Sequence, residues 1–163
     1  MTNIFAKNGK INGDVLEQLI QMQEDLHMGI GRKRKKSSIG IHDLNKISFP
    51  LLYTTTTRNH NFVPLNSEKE LSVSEIIRDT QTGKDYGNLL GQSTQIPIIV
   101  DSNKKTVSFP PIINAAITTV TTKTKHLFVE VTGINKDDAE DMLSVVATIL
   151  QSAGFALERI KIS

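Results

Sequence analysis

The side chains of this chain that could do chemistry are carboxylates, hydroxyls and an amide beside apolar, strand-like segments. The most distinctive is Glu130, within the run Leu127-Phe128-Val129-Glu130-Val131-Thr132-Gly133. If this run is a strand, alternation places Phe128, Glu130 and Thr132 on one face. An acid on so apolar a strand lies either on a solvated face or in a pocket.

Two further segments are candidates. In Ser108–Asn114, Pro110 and Pro111 directly follow a strand-like stretch. Prolines cannot donate to a sheet ladder, so the chain must leave the sheet there in a fixed conformation. The segment Asp101-Ser102-Asn103 is typical of a turn between two strands, and it could be nothing more than that turn.

Most catalytic signatures are absent from the sequence. The 163 residues include no cysteine, which excludes disulfides, zinc–thiolate sites and a cysteine nucleophile. There is no phosphate-binding glycine loop, no His-Glu-x-x-His and no Gly-x-Ser-x-Gly. The four histidines are scattered, which is more typical of surface or core positions than of ligands. The acidic cluster Asp137–Asp141 fits the first turn of a helix better than a metal site, so we predict no metal.

Positive charge is concentrated in one run of five consecutive basic residues: Arg32, Lys33, Arg34, Lys35 and Lys36. The net charge of +2 comes from 19 basic and 17 acidic residues, so without this run the remainder carries −3. Such a patch can hold phosphates by charge neutralisation. The alternative is a solvated loop between a helix and a strand.

The first two predicted helices carry clear start signals. One begins at Asn12-Gly13-Asp14, with Asp14 and Glu17 spaced as a capping box, and ends at Gly29. A short helix follows a second capping box, Ser72-x-x-Glu75, and we expect Thr82-Gly83 to break it.

A last helix is predicted from a cap at Asn135 to a C-terminal glycine at Gly154. Its predicted buried face comprises Ala139, Met142, Leu143, Val146, Ile149 and Leu150. Besides the run that holds Glu130, strands are predicted at Ser38–His42, Leu51–Thr57, Ile96–Val100, Thr106–Phe109 and Phe155–Ile162. Helices and strands mix without a regular βαβ rhythm, which favours an α+β fold with sheets covered by helices.

The chain is expected to form one compact domain, with an N-terminal helical extension over residues 1–36 and a core over residues 37–163. No run approaches the roughly 18 apolar residues of a membrane helix. The start, Met1–Phe5, lacks the layout of a secretory signal. The default prediction is a cytoplasmic protein with no membrane partner.

Taken together, the segments resemble the editing (B3/B4) domain of the β-subunit of archaeal and eukaryotic phenylalanyl-tRNA synthetases. The family's domain has the same motifs in the same order and spacing from about Leu16 to the end of the chain. The matching segments are Arg32–Lys36 with Ile39–Leu44, Gly83–Gly87, Asp101–Asn103, Ser108–Asn114 and Leu127–Gly133. The resemblance implies a sandwich-like, three-layer arrangement of β-sheets covered by helices.

Three positions depart from the family's pattern. Ala115 stands where the family usually has glycine, and Thr119 where it usually has arginine. The family often continues Thr-Gly-Thr-Asp where Thr132–Asn135 stands. The first two departures lie near the presumed site and leave open a divergent pocket or reduced activity.

The resemblance implies hydrolysis of tyrosine wrongly attached to the phenylalanine-specific tRNA, without a cofactor. Glu130 would accept the hydrogen bond donated by the tyrosine hydroxyl, with Ser108 or Thr132 beside it. Ile99 would pack against the ring. Asn114, with the Pro110-Pro111 corner, would shape the ester end. The predicted catalytic residues are Asn114 and Thr132, the predicted substrate-binding residues are Ile99, Ser108, Pro110, Pro111 and Glu130, and the predicted tRNA-binding residues are Arg32, Lys33, Arg34, Lys35 and Lys36.

The implied partners are this tRNA and the rest of the synthetase, its α- and β-subunits. Two readings without editing stay open. One is an RNA-binding module without catalysis, and the other is a structural domain that packs against the rest of a synthetase.

Overall fold

The computed structural model describes residues 1–160, which form a mixed α+β fold as predicted. The strands are β1 (Thr2–Lys7), β2 (Ser37–Asp43), β3 (Leu52–Thr56), β4 (Asn61–Phe62), β5 (Leu71–Ser72), β6 (Ile96–Val100), β7 (Thr106–Phe109), β8 (Ile113–Asn114), β9 (Leu127–Gly133) and β10 (Ala156–Arg159). The α-helices are α1 (Gly13–Met28), α2 (Val73–Asp79), α3 (Gln81–Tyr86) and α4 (Lys136–Ser152). Short 3₁₀ helices occupy Leu44–Lys46, Gly87–Leu90 and Ala116–Thr118.

The described residues group into two compact units. The first combines Met1–Asn45 with the described part of Val120–Ser163, and the second is Lys46–Thr119. Neither boundary coincides with residue 36, where the sequence analysis ends its N-terminal extension. That extension contains α1, but it also contains the strand β1, for which the sequence analysis has no counterpart.

The first unit is built on an antiparallel sheet of strand order β10-β1-β9-β2. One face of this sheet is apolar because alternate residues of its strands are aliphatic, and α4 packs on β1 and β9. The core formed here includes Ile4, Ala6, Leu19, Ile39, Ile41, Leu127, Val129, Val131, Met142, Val146 and Leu150. Each fully buried aliphatic side chain of this kind contributes about 1.5–3 kcal/mol to folding.

The helices of the first unit begin and end close to the predicted positions. The cap of α1 is Asn12, whose Oδ1 accepts the Val15 N–H at 2.8 Å, so the predicted capping role of Asp14 is wrong. Asn135 caps α4 as predicted, with its Oδ1 accepting the Asp138 N–H at 2.8 Å. Gly154 follows α4 with φ of +94°, a left-handed conformation that glycine adopts without strain. The predicted burial of Ile149 is wrong, because this side chain is 39% exposed.

The second unit holds an antiparallel sheet of order β3-β6-β7-β8 and a two-stranded sheet of β4 and β5. Its core consists of Phe62, Val73, Ile76, Ile96, Phe109, Ile112 and Ala115. The capping box at Ser72 and Glu75 is present as predicted: Ser72 Oγ accepts the Glu75 N–H, and the Glu75 carboxylate accepts the Ser72 N–H. The hydrogen bonds that the Ser72 N–H and then the Ser72 hydroxyl donate to the Glu75 carboxylate hold its pKa below its ordinary value.

The break after α2 lies at Thr80 and not at Thr82-Gly83, where it was predicted. Thr80 ends α2 and also caps α3, because its Oγ1 accepts the Gly83 N–H at 3.0 Å. Gly83 lies inside α3, where a Cβ atom would be 2.7 Å from the Ile77 Cα. Glycine is needed here for close packing of two helices and not as a helix breaker.

The remaining strand predictions are confirmed at Ser38–His42, Leu51–Thr57, Ile96–Val100, Thr106–Phe109 and Leu127–Thr132, within a residue or two at each end. Of the predicted strand Phe155–Ile162, the part Ala156–Arg159 is confirmed, and Ile162 lies outside the described residues. The short strands β4, β5 and β8 were not predicted.

Candidate functional site

Glu130 lies in a buried polar row on one face of the first unit's sheet. In the pairing of β2 with β9, Ser38 stands opposite Thr132 and Gly40 opposite Glu130. His42 stands one step further along, opposite Phe128. Because residues opposite each other in an antiparallel pair point to the same side, this row shares one face. The predicted common face of Phe128, Glu130 and Thr132 is confirmed.

The carboxyl group of Glu130 is enclosed, with the residue 2% exposed. Its Oε1 lies 3.6 Å from Nε2 of His42, whose side chain is also fully buried. Its Oε2 has no hydrogen-bond partner within residues 1–160. A buried acceptor without a partner costs about 1–3 kcal/mol, so it marks a position where a ligand donor would be stabilised.

Gly40 makes room for this carboxyl group. A Cβ atom at residue 40 would overlap Oε1 of Glu130 and lie 2.6 Å from Nε2 of His42. The absence of a side chain on β2 is therefore what allows the Glu130 carboxyl group to lie against that strand.

Asn3 extends the row onto the third strand. It stands opposite Glu130 in the pairing of β1 with β9. Its Oδ1 is buried and has no hydrogen-bond partner in the described part of the chain. Two neighbouring strands thus each present one buried oxygen that can accept a hydrogen bond.

The predicted catalytic Thr132 is 5% exposed, and its hydroxyl is 3.0 Å from the Ser38 hydroxyl, so the two share one hydrogen bond. A hydroxyl both donates and accepts, so this bond leaves capacity for a further one.

Asp101 is another buried carboxylate, and its hydrogen bonds stabilise the local backbone. Asp101 Oδ1 accepts the N–H groups of Asn103 and Lys105, each at 2.9 Å, and its Oδ2 accepts the Ser48 N–H at 3.3 Å. The predicted turn at Asp101–Asn103 is thereby confirmed.

Three predicted substrate-binding or catalytic residues stand side by side in the second unit. Ile99 on β6 is opposite Ser108 on β7, and Ser108 is opposite Asn114 on β8. Ser108 Oγ donates to Asn114 Oδ1 at 3.2 Å, while Ile99 is fully buried. The roles assigned to these residues stay predictions.

The double proline leaves the sheet as expected. Pro110 and Pro111 follow β7 directly, and the Ile112 N–H returns to Phe109 O at 2.8 Å. Ala115 closes this corner with φ −79° and ψ 148°, an extended conformation that does not require the glycine usual in the family. Thr119, at the second departure, donates its hydroxyl to Ala116 O at 2.7 Å.

The five predicted tRNA-binding cations lie in the turn between α1 and β2. Arg32, Lys33 and Lys35 are exposed, whereas Arg34 and Lys36 are partly buried. No cluster of metal-ligating side chains occurs within residues 1–160, and no described helix is long and apolar enough to cross a membrane.

Gly40, His42 and Asn3 were not predicted as site residues from the sequence. A usable signal was present for the first two, because the alternation Ser38-Ile39-Gly40-Ile41-His42 places them on one strand face. The partner strand was not deducible, since strand pairing over about 90 residues leaves no local pattern.

The sequence and the fold are similar to those of known proteins. A family model described as the B3/4 domain matches residues 15–143, and the chain belongs to this family. It is 44% identical over 154 residues to the phenylalanine–tRNA ligase beta subunit of Sulfurisphaera tokodaii, covering 94% of this chain and 28% of that protein. It is 40% identical over 157 residues to the same subunit of Archaeoglobus fulgidus, covering 96% and 28%.

Among solved structures, an N-terminal fragment of the phenylalanyl-tRNA synthetase beta-subunit from Pyrococcus horikoshii superposes with a TM-score of 0.92 at 33% identity. The superposition covers 96% of this chain and 45% of that fragment. The chain thus spans under a third of the length of the two beta subunits it matches, and it is a B3/4 domain of the kind that phenylalanine–tRNA ligase beta subunits contain.

Proposed function

We propose that this chain is the editing domain of a phenylalanine–tRNA ligase beta subunit and hydrolyses tyrosine wrongly attached to the phenylalanine-specific tRNA. The observation that carries the proposal is the buried Glu130 carboxyl group, whose Oε2 has no hydrogen-bond partner within residues 1–160. The likeness to phenylalanine–tRNA ligase beta subunits supports the choice of tRNA.

Selectivity follows from the chemistry of the buried acceptor. An aminoacylation site built for phenylalanine gains little selectivity against tyrosine, whose ring differs only by an added hydroxyl. A second site inverts the problem, because the tyrosine hydroxyl donates to Glu130, whereas phenylalanine leaves the carboxyl group without a partner. The Asn3 side-chain oxygen on the neighbouring strand supplies a second acceptor beside the same position.

The proposed reaction is ester hydrolysis by water. The water oxygen attacks the carbonyl carbon that joins tyrosine to the terminal ribose, and the bond from that carbon to the ribose oxygen breaks. The ribose oxygen takes a proton, so the products are free tyrosine and an intact tRNA 3′ end. The chain has no cysteine, and we propose direct attack by a positioned water, helped by the neighbouring ribose hydroxyl.

The test compares the loss of tyrosyl and phenylalanyl esters from the same tRNA, above the buffer rate. We expect selective loss of the tyrosyl ester, and we expect Glu130→Gln to reduce the rate for tyrosine by roughly 10- to 100-fold. Glu130→Ala is expected to abolish discrimination. Glu140→Gln, at an exposed acid of α4, is the matched control and keeps the wild-type rate.

Each negative result has a meaning. Full tyrosine selectivity in Glu130→Ala would remove Glu130 from this role. Salt-dependent tRNA binding without loss of either ester would favour an RNA-binding module without catalysis. Failure to bind tRNA at all would favour a structural domain of the synthetase.

A further inference from the structure

The turn Gly29–Lys36, which we name the basic turn, holds its five cations in two different ways. Arg34 Nη2 lies 3.3 Å from Glu24 Oε1, and the Arg34 side chain is only 9% exposed. Lys36 Nζ lies 3.2 Å from Asp138 Oδ1 at the start of α4. These two cations are neutralised by acids of the same unit and tie the turn to both helices.

The other three cations face solvent. Arg32, Lys33 and Lys35 are exposed, and none of them makes an ion pair with another described residue. The basic turn therefore presents three uncompensated positive charges within four residues, although the rest of the chain is net acidic.

The backbone under these charges is strained. Arg32, Lys33 and Arg34 have φ of 46°, 56° and 63°, three successive left-handed residues without a glycine. Each such residue costs about 1 kcal/mol, so the surrounding contacts must hold the conformation in place. A flexible solvated loop would relax to backbone conformations of lower energy, so these φ values indicate a turn that its contacts hold rigid.

The contacts that hold the basic turn are well defined. Arg34 N donates to His27 O at 3.2 Å, and Lys36 N donates to Gly31 O at 2.9 Å. The buried His27 ring links the end of α1 to β2, because its Nε2 accepts the Ile39 N–H at 2.8 Å. The nearby His27 side chain lowers the pKa of Glu24 most, burial acts in the opposite direction, and the Arg34 charge lowers it further. The net pKa lies below the ordinary value, so this acid is ionised beside Arg34 at neutral pH.

We propose that the basic turn is a rigid phosphate-binding element, in which Arg32, Lys33 and Lys35 contact backbone phosphates of the tRNA and Arg34 and Lys36 hold the turn in shape. The identity of the RNA rests on the proposed function. The turn Gly29–Lys36 contains no aromatic residue on which a base could stack, so the recognition is of charge and backbone geometry.

The experiment measures binding of uncharged tRNA to the 163-residue chain as a function of salt concentration. We expect the combined variant Arg32→Ala/Lys33→Ala/Lys35→Ala to reduce the slope of log affinity against log salt by about 2–3, or 0.7–0.9 for each lost phosphate contact. The matched control is Lys10→Ala/Lys123→Ala/Lys125→Ala, which removes three exposed cations of the same unit and leaves the slope at about the wild-type value.

Arg34→Ala separates contact from positioning. If Arg34 only shapes the turn, its removal weakens binding while the salt slope stays near the wild-type value, because no phosphate contact is lost. Equal slope losses in the two triple variants would overturn the proposal, since they would show bulk charge without a dedicated element. An unchanged slope in the Arg32/Lys33/Lys35 variant would overturn it as well.

Failure of the proposed function is visible separately. Intact tRNA binding through the basic turn, with no loss of either ester, would contradict editing and leave this inference standing. Conversely, the Arg32/Lys33/Lys35 variant could hydrolyse the ester at the wild-type rate at saturating tRNA and show an unchanged salt slope. That result would support editing and would exclude the basic turn from RNA binding.

Discussion

A buried aspartate of the second unit and a buried glutamate of the first differ in how the burial of the carboxyl group is compensated. In the second unit Asp101 is 5% exposed and accepts three backbone N–H groups, two from its own turn and one from Ser48, so its burial is compensated. In the first unit Glu130 is 2% exposed and retains an oxygen without a partner in the described residues. Burial alone therefore does not single out a candidate functional acid, whereas a buried acceptor without a hydrogen-bond partner singles out Glu130 as a candidate.

This contrast is a property of the residues and not of the units. Asp43, in the same unit as Glu130, is 8% exposed and is satisfied by the Asn45 N–H at 3.0 Å and the Thr124 hydroxyl at 2.9 Å. Two buried aspartates thus stabilise turns and loops, and one glutamate does not.

The largest expected effect is on folding, at Asp101. Asp101→Ala should lower the free energy of unfolding by about 3 kcal/mol, because the N–H groups of Asn103, Lys105 and Ser48 lose a charged acceptor. Urea denaturation followed by circular dichroism measures this change. Glu130→Gln is the comparison, and we expect it to leave stability within about 1 kcal/mol of wild type, since it removes no satisfied hydrogen bond. Equal losses of unfolding free energy in the two variants would show that the two acids do not differ in how their burial is compensated.

An intermediate effect is expected at Gly40. Gly40→Ala places a methyl group against the Glu130 carboxyl group and the His42 ring, so the carboxyl group must move. We expect tyrosine selectivity in ester hydrolysis to fall about tenfold, with roughly 1 kcal/mol lost from stability.

Gly13→Ala is the control for this change, because nothing lies within 4 Å of a Cβ atom at residue 13. We expect it to keep wild-type selectivity and to gain up to about 1 kcal/mol in helix stability. Unchanged selectivity in Gly40→Ala would show that the position of the Glu130 carboxyl group does not matter.

The smallest effect concerns His60 in the second unit. Burial lowers the pKa of His60 below its ordinary value, with the charge of Glu70 acting in the opposite direction. The folded state therefore prefers the neutral ring, whose Nε2 lies 2.7 Å from Thr106 Oγ1. Its contribution to stability is complete above the unfolded-state pKa of about 6.5 and declines as the pH falls below that value.

Denaturation midpoints between about pH 8 and pH 5 measure this dependence. His60→Gln should show a shallower decline than wild type, because glutamine keeps a side-chain amide without titrating in this range. Identical profiles for the two proteins would mean that protonation of His60 is not coupled to folding.

Local sequence signals predicted much of the secondary structure. Ser72 and Asn135 were identified as caps because a cap and the residue it contacts lie within three positions. Gly83 was misread as a breaker because its cause, packing against Ile77, is tertiary. Ile149 was misplaced because helical periodicity marks a stripe and not which edge of that stripe a sheet covers.

The candidate site was predictable only in part. Glu130 stood out because an acid interrupts an apolar strand, and its burial agrees with the interpretation of a pocket over a solvated face. Its neighbours Gly40 and Asn3 come from strands about 90 and 127 residues earlier, and only the strand register reveals them. The strain in the basic turn was equally invisible, since Arg and Lys carry no preference for positive φ.

The strand order β10-β1-β9-β2 has a consequence for how the chain is made. Both described partners of β1 lie beyond residue 126, so Thr2–Lys7 can pair only after most of the chain has left the ribosome. The second unit is one contiguous segment, Lys46–Thr119, and all its strand partners are already available by then. Synthesis therefore orders the assembly of the two units. The segment Lys46–Thr119 is complete and able to fold before β9 and β10 add to the sheet that holds Glu130.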